Sequence, residues 1–217
     1  MSSFHEELLK DSVGLWNKIV SHPFLTQTAE GTIPEDVFKT WMQQDYIFIR
    51  EAIPFMAVLL AKGPVSLRSN FIQIMVGLDK ELELFRNNAQ RHGISLEDLQ
   101  PSPTCHAYIQ FLMNTAYNAS FEEGFTVLYS AEKVYLDSWM AVKTNLKGSS
   151  PWQEFIDNWT SEAFQQYVDW LAQTLNILVK DHSALQMQNC REIFKITGQY
   201  EYLFWEMASK KETWPVQ

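Results

Sequence analysis

Residues 38–59 read FKTWMQQDYIFIREAIPFMAVL, and this stretch sets the fold class. Its apolar side chains recur at steps of three or four, which is the spacing of one face of an α-helix. Asp45 occupies the step between Trp41 and Phe48, where an apolar residue is expected. The pattern predicts an amphipathic helix that carries one inward-pointing carboxylate.

Two later segments repeat this arrangement. In residues 121–142, Glu132 is the one polar member of the apolar line, and Glu201 shares a helical stripe with Trp205. A buried carboxylate without a partner costs on the order of several kcal/mol, so such groups are usually paired, protonated or directed into a wet cavity. We interpret Asp45, Glu132 and Glu201 as candidate functional acids. The alternative, that each is a structural acid paired with Lys, Arg or Tyr, stays open.

The remainder of the chain also has helical periodicity, and no alternating run of strand character appears. Glycines and prolines interrupt the pattern at intervals that indicate seven or eight helices. Helix-start motifs, in which a hydroxyl residue precedes an acid or amide by three positions, occur at Thr32, Ser95, Ser120 and Ser150. A chain of 217 residues with 46% apolar content can bury one substantial core. We therefore predict an all-α, single-domain helical bundle over residues 1–217.

Composition excludes several classes of partner. The net charge of −9 and the lack of a basic cluster argue against nucleic acid. No apolar run approaches the roughly 18 residues of a membrane span, and no signal-peptide pattern is present, so we expect a cytoplasmic protein without a membrane partner. Cys105 and Cys190 are too few for a disulfide framework, and we expect both to be reduced and packed.

Aromatic residues accompany the acids along the same stripes. Flat rings and carboxylates suit a flat, nitrogen-rich ligand such as an aminopyrimidine, which stacks on rings while its nitrogens hydrogen-bond to acids. Each ring taken alone is better explained by ordinary core packing, and only the coincidence with the acids favours a binding site. The aromatic candidates are Phe48, Tyr108, Tyr135, Trp159 and Phe204.

Metal and cofactor chemistry find no support in the sequence. Di-iron carboxylate bundles use Glu-x-x-His pairs, whereas Glu132 is followed by Tyr135 and Glu201 by Phe204. No catalytic-triad or nucleotide-binding motif occurs. We expect neither a metal nor a cofactor.

Four separated motifs resemble the TenA family, also called thiaminase II. They are IPEDVFK at residues 33–39, the pair Gln44-Asp45, PSPT at residues 101–104 with Tyr108, and YEYLFWEM at residues 200–207. The resemblance implies an all-α fold like that of haem oxygenase and a homo-oligomer, usually a tetramer, with a dimer as the alternative. It also implies hydrolysis at the aminomethyl carbon of thiamin-type pyrimidines.

The resemblance further implies roles for individual residues. Asp45 would bind the pyrimidine amino group and ring nitrogen, Tyr108 would hydrogen-bond nearby, and Glu201 would be the acid/base. Glu81 is a weaker substrate-binding candidate, for which a solvated surface position is the alternative. The residues expected to line the ring are Phe48, Tyr135, Trp159 and Phe204.

One departure from the common family pattern concerns the nucleophile. The catalytic cysteine of the family falls, by register, on Ala131 of this chain. The string AEKVY at residues 131–135 is instead similar to the cysteine-less TenA-E branch, in which a glutamate, here Glu132, lies beside the vacant position. That branch is associated with hydrolysis of aminopyrimidines and their N-formyl derivatives.

We therefore predict a thiamin-salvage hydrolase that uses Glu132, Glu201 and Asp45 as catalytic residues. Its substrate would be 4-amino-5-aminomethyl-2-methylpyrimidine or the N-formyl derivative, with weak or absent cleavage of thiamin. The main alternative is a non-catalytic pyrimidine-binding or regulatory protein on the same scaffold. An oxidase related to the branch that makes pyrroloquinoline quinone is a third possibility.

Overall fold

The computed structural model describes residues 2–216, within which the chain forms α-helices and no strand. The helices are α1 Phe4–Asp11, α2 Val13–Val20, α3 Pro23–Glu30, α4 Glu35–Lys62, α5 Arg68–Arg91, α6 Pro103–Asn118, α7 Phe121–Asn145, α8 Gln153–Trp159, α9 Glu162–Leu178 and α10 Ala184–Lys210. One residue separates α1 from α2, and gaps of two residues separate α2 from α3, α6 from α7 and α8 from α9. The predicted all-α fold is confirmed. None of the helices in this part of the chain is long and apolar enough to cross a membrane.

The chain divides into two compact units. The first comprises the residues up to Ile33 together with Phe125–Trp205, and the second comprises Pro34–Gly124 together with the residues from Glu206 onward. The first unit thus contains α1–α3, α8, α9 and most of α7 and α10, whereas the second contains α4–α6. The single domain expected over residues 1–217 stays a prediction.

An aromatic cluster holds the first unit together. Trp139 of α7 stacks on Trp159 of α8 with ring centroids 5.1 Å apart. Tyr135, one turn earlier on α7, meets Trp159 edge-on at 5.3 Å and Trp205 of α10 at 5.5 Å. Each large ring buries roughly 150–250 Å². These contacts therefore fix α7 against both α8 and α10.

In the second unit α4 packs against α5 and α6. Trp41 contacts Phe85 of α5 with a centroid distance of 5.9 Å, and Phe48 contacts Tyr108 of α6 at 4.6 Å. The apolar stripe quoted from residues 38–59 is thus the face that α4 buries.

Of the predicted helix starts, the one at Ser120 is confirmed and the one at Thr32 is not. Ser120 and Glu123 form the expected capping box, because the Glu123 amide donates to Ser120 Oγ at 3.1 Å and the Ser120 amide donates to a Glu123 carboxylate oxygen at 2.7 Å. The start predicted at Thr32 is wrong. The Thr32 amide donates to the carbonyl of Gln27 at 2.9 Å, so this residue closes α3 after the left-handed Gly31, and α4 begins at Glu35.

The remaining two helix starts are also wrong. Ser95 makes a local turn, in which its hydroxyl accepts from the Glu97 amide at 3.2 Å, and no helix begins before Pro103. The prolines that follow disfavour helical geometry at the residues before them. Ser150 accepts from the Trp152 amide at 3.1 Å, and α8 begins only at Gln153.

The C-terminal tail covers the start of α6. The Glu212 carboxylate accepts from the Thr104 amide at 2.8 Å and from its hydroxyl at 3.1 Å. Trp214 donates its indole N–H to the Pro101 carbonyl at 2.9 Å. The first amides of a helix lack partners within the helix, and a carboxylate near that end is electrostatically favourable. The tail therefore supplies a second cap beyond that of Ser102, whose hydroxyl accepts from the Cys105 amide.

We expect Glu212→Ala to lower the free energy of unfolding by about 1–2 kcal/mol, because it removes a charge-assisted cap. Urea denaturation followed by circular dichroism measures this change. Glu97→Ala, which removes an exposed loop carboxylate, is the control. Equal losses in the two variants would contradict the capping role.

Candidate active site

In the second unit, the acid of α4 is buried as the periodicity predicted. Asp45 is only 1% exposed. The neighbouring Gln44 accepts from the Ser102 amide at 2.8 Å and donates to the Gln100 carbonyl at 3.1 Å. Gln44 thus ties the loop before α6 to α4 at the level of Asp45. Sequence reasoning noted the Gln44-Asp45 pair but assigned Gln44 no role.

Tyr108 lies on α6 opposite the same part of α4. It is buried, and its ring contacts Phe48, which is half-buried, at the 4.6 Å given above. Gln44 of α4 bonds to the start of α6 and Phe48 of α4 contacts Tyr108 itself, so both contacts position Tyr108 relative to α4. The structure therefore brings together α4 and α6 candidates that are far apart in sequence.

The α5 candidate has a less defined position. Glu81 is half-buried and lies one turn before Phe85, which contacts Trp41 of α4. Glu83 is exposed. Glu81 is therefore on the side of α5 that borders α4, and its role stays a prediction.

Both cysteines are free and buried, as predicted. Cys105 Sγ lies 3.6 Å from the Gln44 carbonyl oxygen. Burial raises the pKa of the Cys105 thiol far above its usual range, and the negative charge of Asp45 raises it further. The thiol of Cys105 is therefore protonated at neutral pH and is a poor nucleophile.

In the first unit, Glu132 lies on α7 beside Ala131, where the family pattern places its cysteine. Its side chain is half-buried, and the Tyr167 hydroxyl of α9 donates to Oε1 at 3.2 Å. Burial raises the pKa of Glu132 to about 7, an effect that the hydrogen bond from Tyr167 opposes. Some solvent reaches the side chain, yet surrounding protein displaces enough water to disfavour the charge. Glu132 therefore populates both protonation states near neutral pH.

Glu201 lies on α10, which packs beside α7. It is 1% exposed, and Phe204, on the next turn, is also buried. Contacts between α7 and α10 include the hydrogen bond from the Ser130 hydroxyl to the Phe194 carbonyl, at 3.2 Å, and the contact between the rings of Tyr135 and Trp205. In sequence, Glu132 falls between Ser130 and Tyr135, and Glu201 falls between Phe194 and Trp205. Both glutamates therefore lie on the stretch where these helices pack.

Trp159 and Tyr135 occupy the aromatic cluster of the first unit. Trp159 is 2% exposed and stacks on Trp139 and on Phe155. Tyr135 lies one turn beyond Glu132 on α7. Trp159 thus helps to build the core that supports Tyr135, which is the packing role left open by the sequence.

Tyr167 is a site residue that the sequence reasoning missed. It lies on α9 next to Val168, and the buried Leu171 follows one turn later. A tyrosine on an apolar helix face usually needs a hydrogen-bond partner for its hydroxyl, which was the available signal. Its partner could not be read from sequence because Glu132 is 35 positions away.

Because its pKa is raised, we expect Glu132 to make the free energy of unfolding depend on pH. The Glu132 carboxyl has a pKa near 4.5 in the unfolded chain and about 7 in the folded protein, because the folded protein favours the protonated form. Its contribution to the free energy of unfolding is therefore full below pH 4.5 and is lost as the pH rises through 7. Glutamine does not titrate, so Glu132→Gln should gain stability relative to wild type between about pH 5 and about pH 8.5. The gain should be about 1–3 kcal/mol, discounted for partial exposure.

Chemical denaturation at the two pH values measures this gain, with the exposed carboxyl-to-amide change Glu83→Gln as the control. A stability difference between Glu132→Gln and wild type that does not vary with pH would show that the Glu132 carboxyl is not desolvated.

Comparison with known proteins places the chain in a family. The family model described as TENA/THI-4/PQQC matches residues 9–211. The chain is 27% identical to an aminopyrimidine aminohydrolase from Halalkalibacterium halodurans, with 98% of each chain covered. It is 28% identical to a probable bifunctional TENA-E protein from Glycine max, over 94% of this chain and 92% of that one.

Solved structures agree with this placement. A TenA homologue from Pyrococcus furiosus matches with a TM-score of 0.92 and 40% identity, covering 94% of this chain and 99% of that one. A domain from Shewanella denitrificans described as having a heme oxygenase-like fold matches with a TM-score of 0.75 and 13% identity, over 94% and 91% of the two chains. The latter likeness concerns the fold alone and confirms the predicted fold type. The chain belongs to the TENA/THI-4/PQQC family.

Proposed function

We propose that this protein is an aminopyrimidine aminohydrolase of thiamin salvage. It converts 4-amino-5-aminomethyl-2-methylpyrimidine, or its N-formyl derivative, to 4-amino-5-hydroxymethyl-2-methylpyrimidine, with little or no cleavage of thiamin. The proposal is supported by Glu132, whose pKa burial raises to about 7 and whose Oε1 accepts a hydrogen bond from Tyr167. By the family resemblance, its neighbour Ala131 occupies the position of the cysteine. Relatives named aminopyrimidine aminohydrolase span nearly the whole chain, and the predicted enzyme class, a TenA-type hydrolase, is confirmed.

The substrate ring is bound by the residues that the family resemblance indicates. Asp45 hydrogen-bonds to the pyrimidine amino group and ring nitrogen, and Tyr108 donates nearby. Burial of Asp45 supports this assignment, because a carboxylate removed from water interacts more strongly with the amino group of a ligand. The residues proposed to line the ring or contact its substituents are Phe48, Tyr135, Trp159, Phe204 and Glu81.

Hydrolysis replaces one bond at the methylene carbon. The oxygen of water forms the new C–O bond, and the C–N bond breaks with its electron pair leaving on nitrogen. One glutamate takes a proton from the attacking water, and the other donates a proton to the leaving nitrogen. Ammonia then departs from the aminomethylpyrimidine, and formamide departs from its N-formyl derivative. Glu132 and Glu201 share these two steps. A carboxyl with a pKa near the working pH is suited to either step.

The mechanism needs no covalent intermediate on sulfur. Ala131 has no nucleophilic atom, and the raised pKa of Cys105 keeps that thiol protonated. Acid–base hydrolysis by carboxyl groups is therefore the simplest chemistry for this chain.

We expect wild-type protein to release the hydroxymethylpyrimidine from the aminomethylpyrimidine or its N-formyl derivative, and to cleave thiamin weakly or not at all. Glu132→Gln and Glu201→Gln should each lower kcat at least about 100-fold, because each removes a proton-transfer group. Chromatography of product from each of the three substrates measures this, and Glu83→Gln is the matched control.

Near-normal turnover in both variants would refute the carboxylate mechanism. Stabilisation of the wild-type protein by the pyrimidine without any product would instead favour the non-catalytic binder, which the absence of a cysteine at Ala131 keeps open.

The cysteines give a separate prediction. Cys105→Ala and Cys190→Ala, alone or combined, should keep kcat within about twofold of wild type, because neither thiol takes part in the reaction. The same chromatographic assay measures this, with thermal melting to check folding. A loss of more than about 100-fold in folded Cys105→Ala would reinstate a thiol mechanism.

The homo-oligomer, a tetramer or dimer, and the cytoplasmic location stay predictions of the resemblance. Light scattering on the purified protein measures the first of these.

A further inference from the structure

One hydrogen bond defines the surroundings of the Glu132 carboxyl. Among residues 2–216, Tyr167 is the one hydrogen-bond partner of Glu132, through the 3.2 Å contact to Oε1. The ring of Tyr167 is itself held, since it stacks on Trp170 with planes inclined by 18° and contacts Phe164. The phenol is therefore a fixed donor that reaches α7 from α9.

Charged neighbours do not compete for this carboxyl. Lys133 follows Glu132 in the chain, but its ammonium group lies 2.6 Å from a carboxylate oxygen of Asp137. Asp137 also accepts from the Trp16 indole N–H at 2.8 Å, which anchors the pair. Other titratable groups on the neighbouring stretches include Tyr129, Lys133, Tyr135 and Asp137 of α7, Tyr167 and Asp169 of α9, and Tyr200, Glu201 and Tyr202 of α10. Burial and Tyr167 are the influences that act on Glu132 itself.

We propose that Tyr167 is a positioning residue for Glu132: its phenol holds Oε1 and leaves Oε2 directed to the reacting group of the substrate. The inference rests on the proposed function, because it concerns the reaction in which Glu132 takes part.

Two physical effects follow from this arrangement. A carboxylate held at one oxygen loses rotational freedom, and orientation of a proton-transfer group strongly affects rate. The phenol also donates to the charged form of the carboxyl and so lowers a pKa that burial raises. Tyr167 therefore sets both the direction of Glu132 and the pH at which its carboxyl changes charge.

The test is Tyr167→Phe, which keeps the ring and removes the donor. We expect kcat to fall about tenfold with KM changed less than about twofold, since the substrate itself loses no contact. The limb of the pH–kcat profile that reports Glu132 should move about one pH unit higher, because the hydrogen bond that lowers the pKa of Glu132 is then lost while burial still raises it. Tyr117→Phe makes the same change at an exposed tyrosine of α6 and should alter neither quantity.

A double-mutant comparison separates positioning from an independent role. In the Glu132→Gln background, Tyr167→Phe should cause no further loss of kcat, because the group it positions is gone. A further tenfold loss would overturn the inference, as would an unchanged kcat and pH profile in Tyr167→Phe alone.

A direct titration keeps this test distinct from that of the proposed function. With 13C-carboxyl-labelled glutamate, the NMR signal that disappears in Glu132→Gln reports the pKa of Glu132. We expect the Glu132 pKa to be higher in Tyr167→Phe than in wild type, and an unchanged pKa would overturn the inference. If wild-type protein converts none of the three substrates, the proposed function fails, and this titration still decides whether Tyr167 holds the carboxylate.

Discussion

Removal of carboxyl groups from water is the constraint on which this structure depends. Asp45 and Glu201 are almost fully buried and Glu132 is half-buried, each on a helix face that otherwise carries apolar side chains. Such positions disfavour charge unless the surrounding protein compensates for the lost water. At Glu132 the hydrogen bond from Tyr167 replaces only part of the lost hydration. Burial raises the pKa more than this hydrogen bond lowers it, and the pKa is about 7. A carboxyl in this condition lowers the stability of the folded protein at higher pH and is useful for proton transfer near neutrality.

The rest of each unit holds such groups in place with rigid contacts. In the first unit, the rings of Tyr135, Trp159 and Trp205 fix α7 against α8 and α10, so the helices that carry Glu132 and Glu201 have little freedom to shift. In the second unit, Gln44 and Glu212 tie the start of α6 to α4 and to the C-terminal tail. These helices are held by ring contacts along their faces and by hydrogen bonds at their ends. Side chains on such helices keep a fixed geometry, which a catalytic or binding site requires.

The family resemblance implies a cysteine at the position where this chain has Ala131, and the thiols of this chain differ from a catalytic one. A thiol nucleophile needs an environment that lowers its pKa, whereas burial and the charge of Asp45 raise the pKa of the Cys105 thiol. A half-buried glutamate has the opposite requirement, because its usefulness as an acid or base increases as burial raises its pKa towards neutrality. The raised pKa of Glu132 is thus compatible with the proposed acid–base role, and the raised pKa of Cys105 is unfavourable for a nucleophile.

The sequence by itself determined the helical fold and the faces on which Asp45, Glu132 and Glu201 lie, because the spacing of apolar residues along a helix is a local property. It also identified the capping box at Ser120, whose partners are three residues apart. The helix start predicted at Thr32 was wrong. The Thr32 amide donates to the Gln27 carbonyl, so Thr32 belongs to the closing turn of α3 and does not begin α4. The tertiary structure alone decided that Tyr167 reaches Glu132 from 35 positions away, and that Gln44 holds the loop before α6 from 58 positions away. These contacts depend on how separate helices pack, and the periodicity of one helix carries no information about the polar atoms that another helix brings to it.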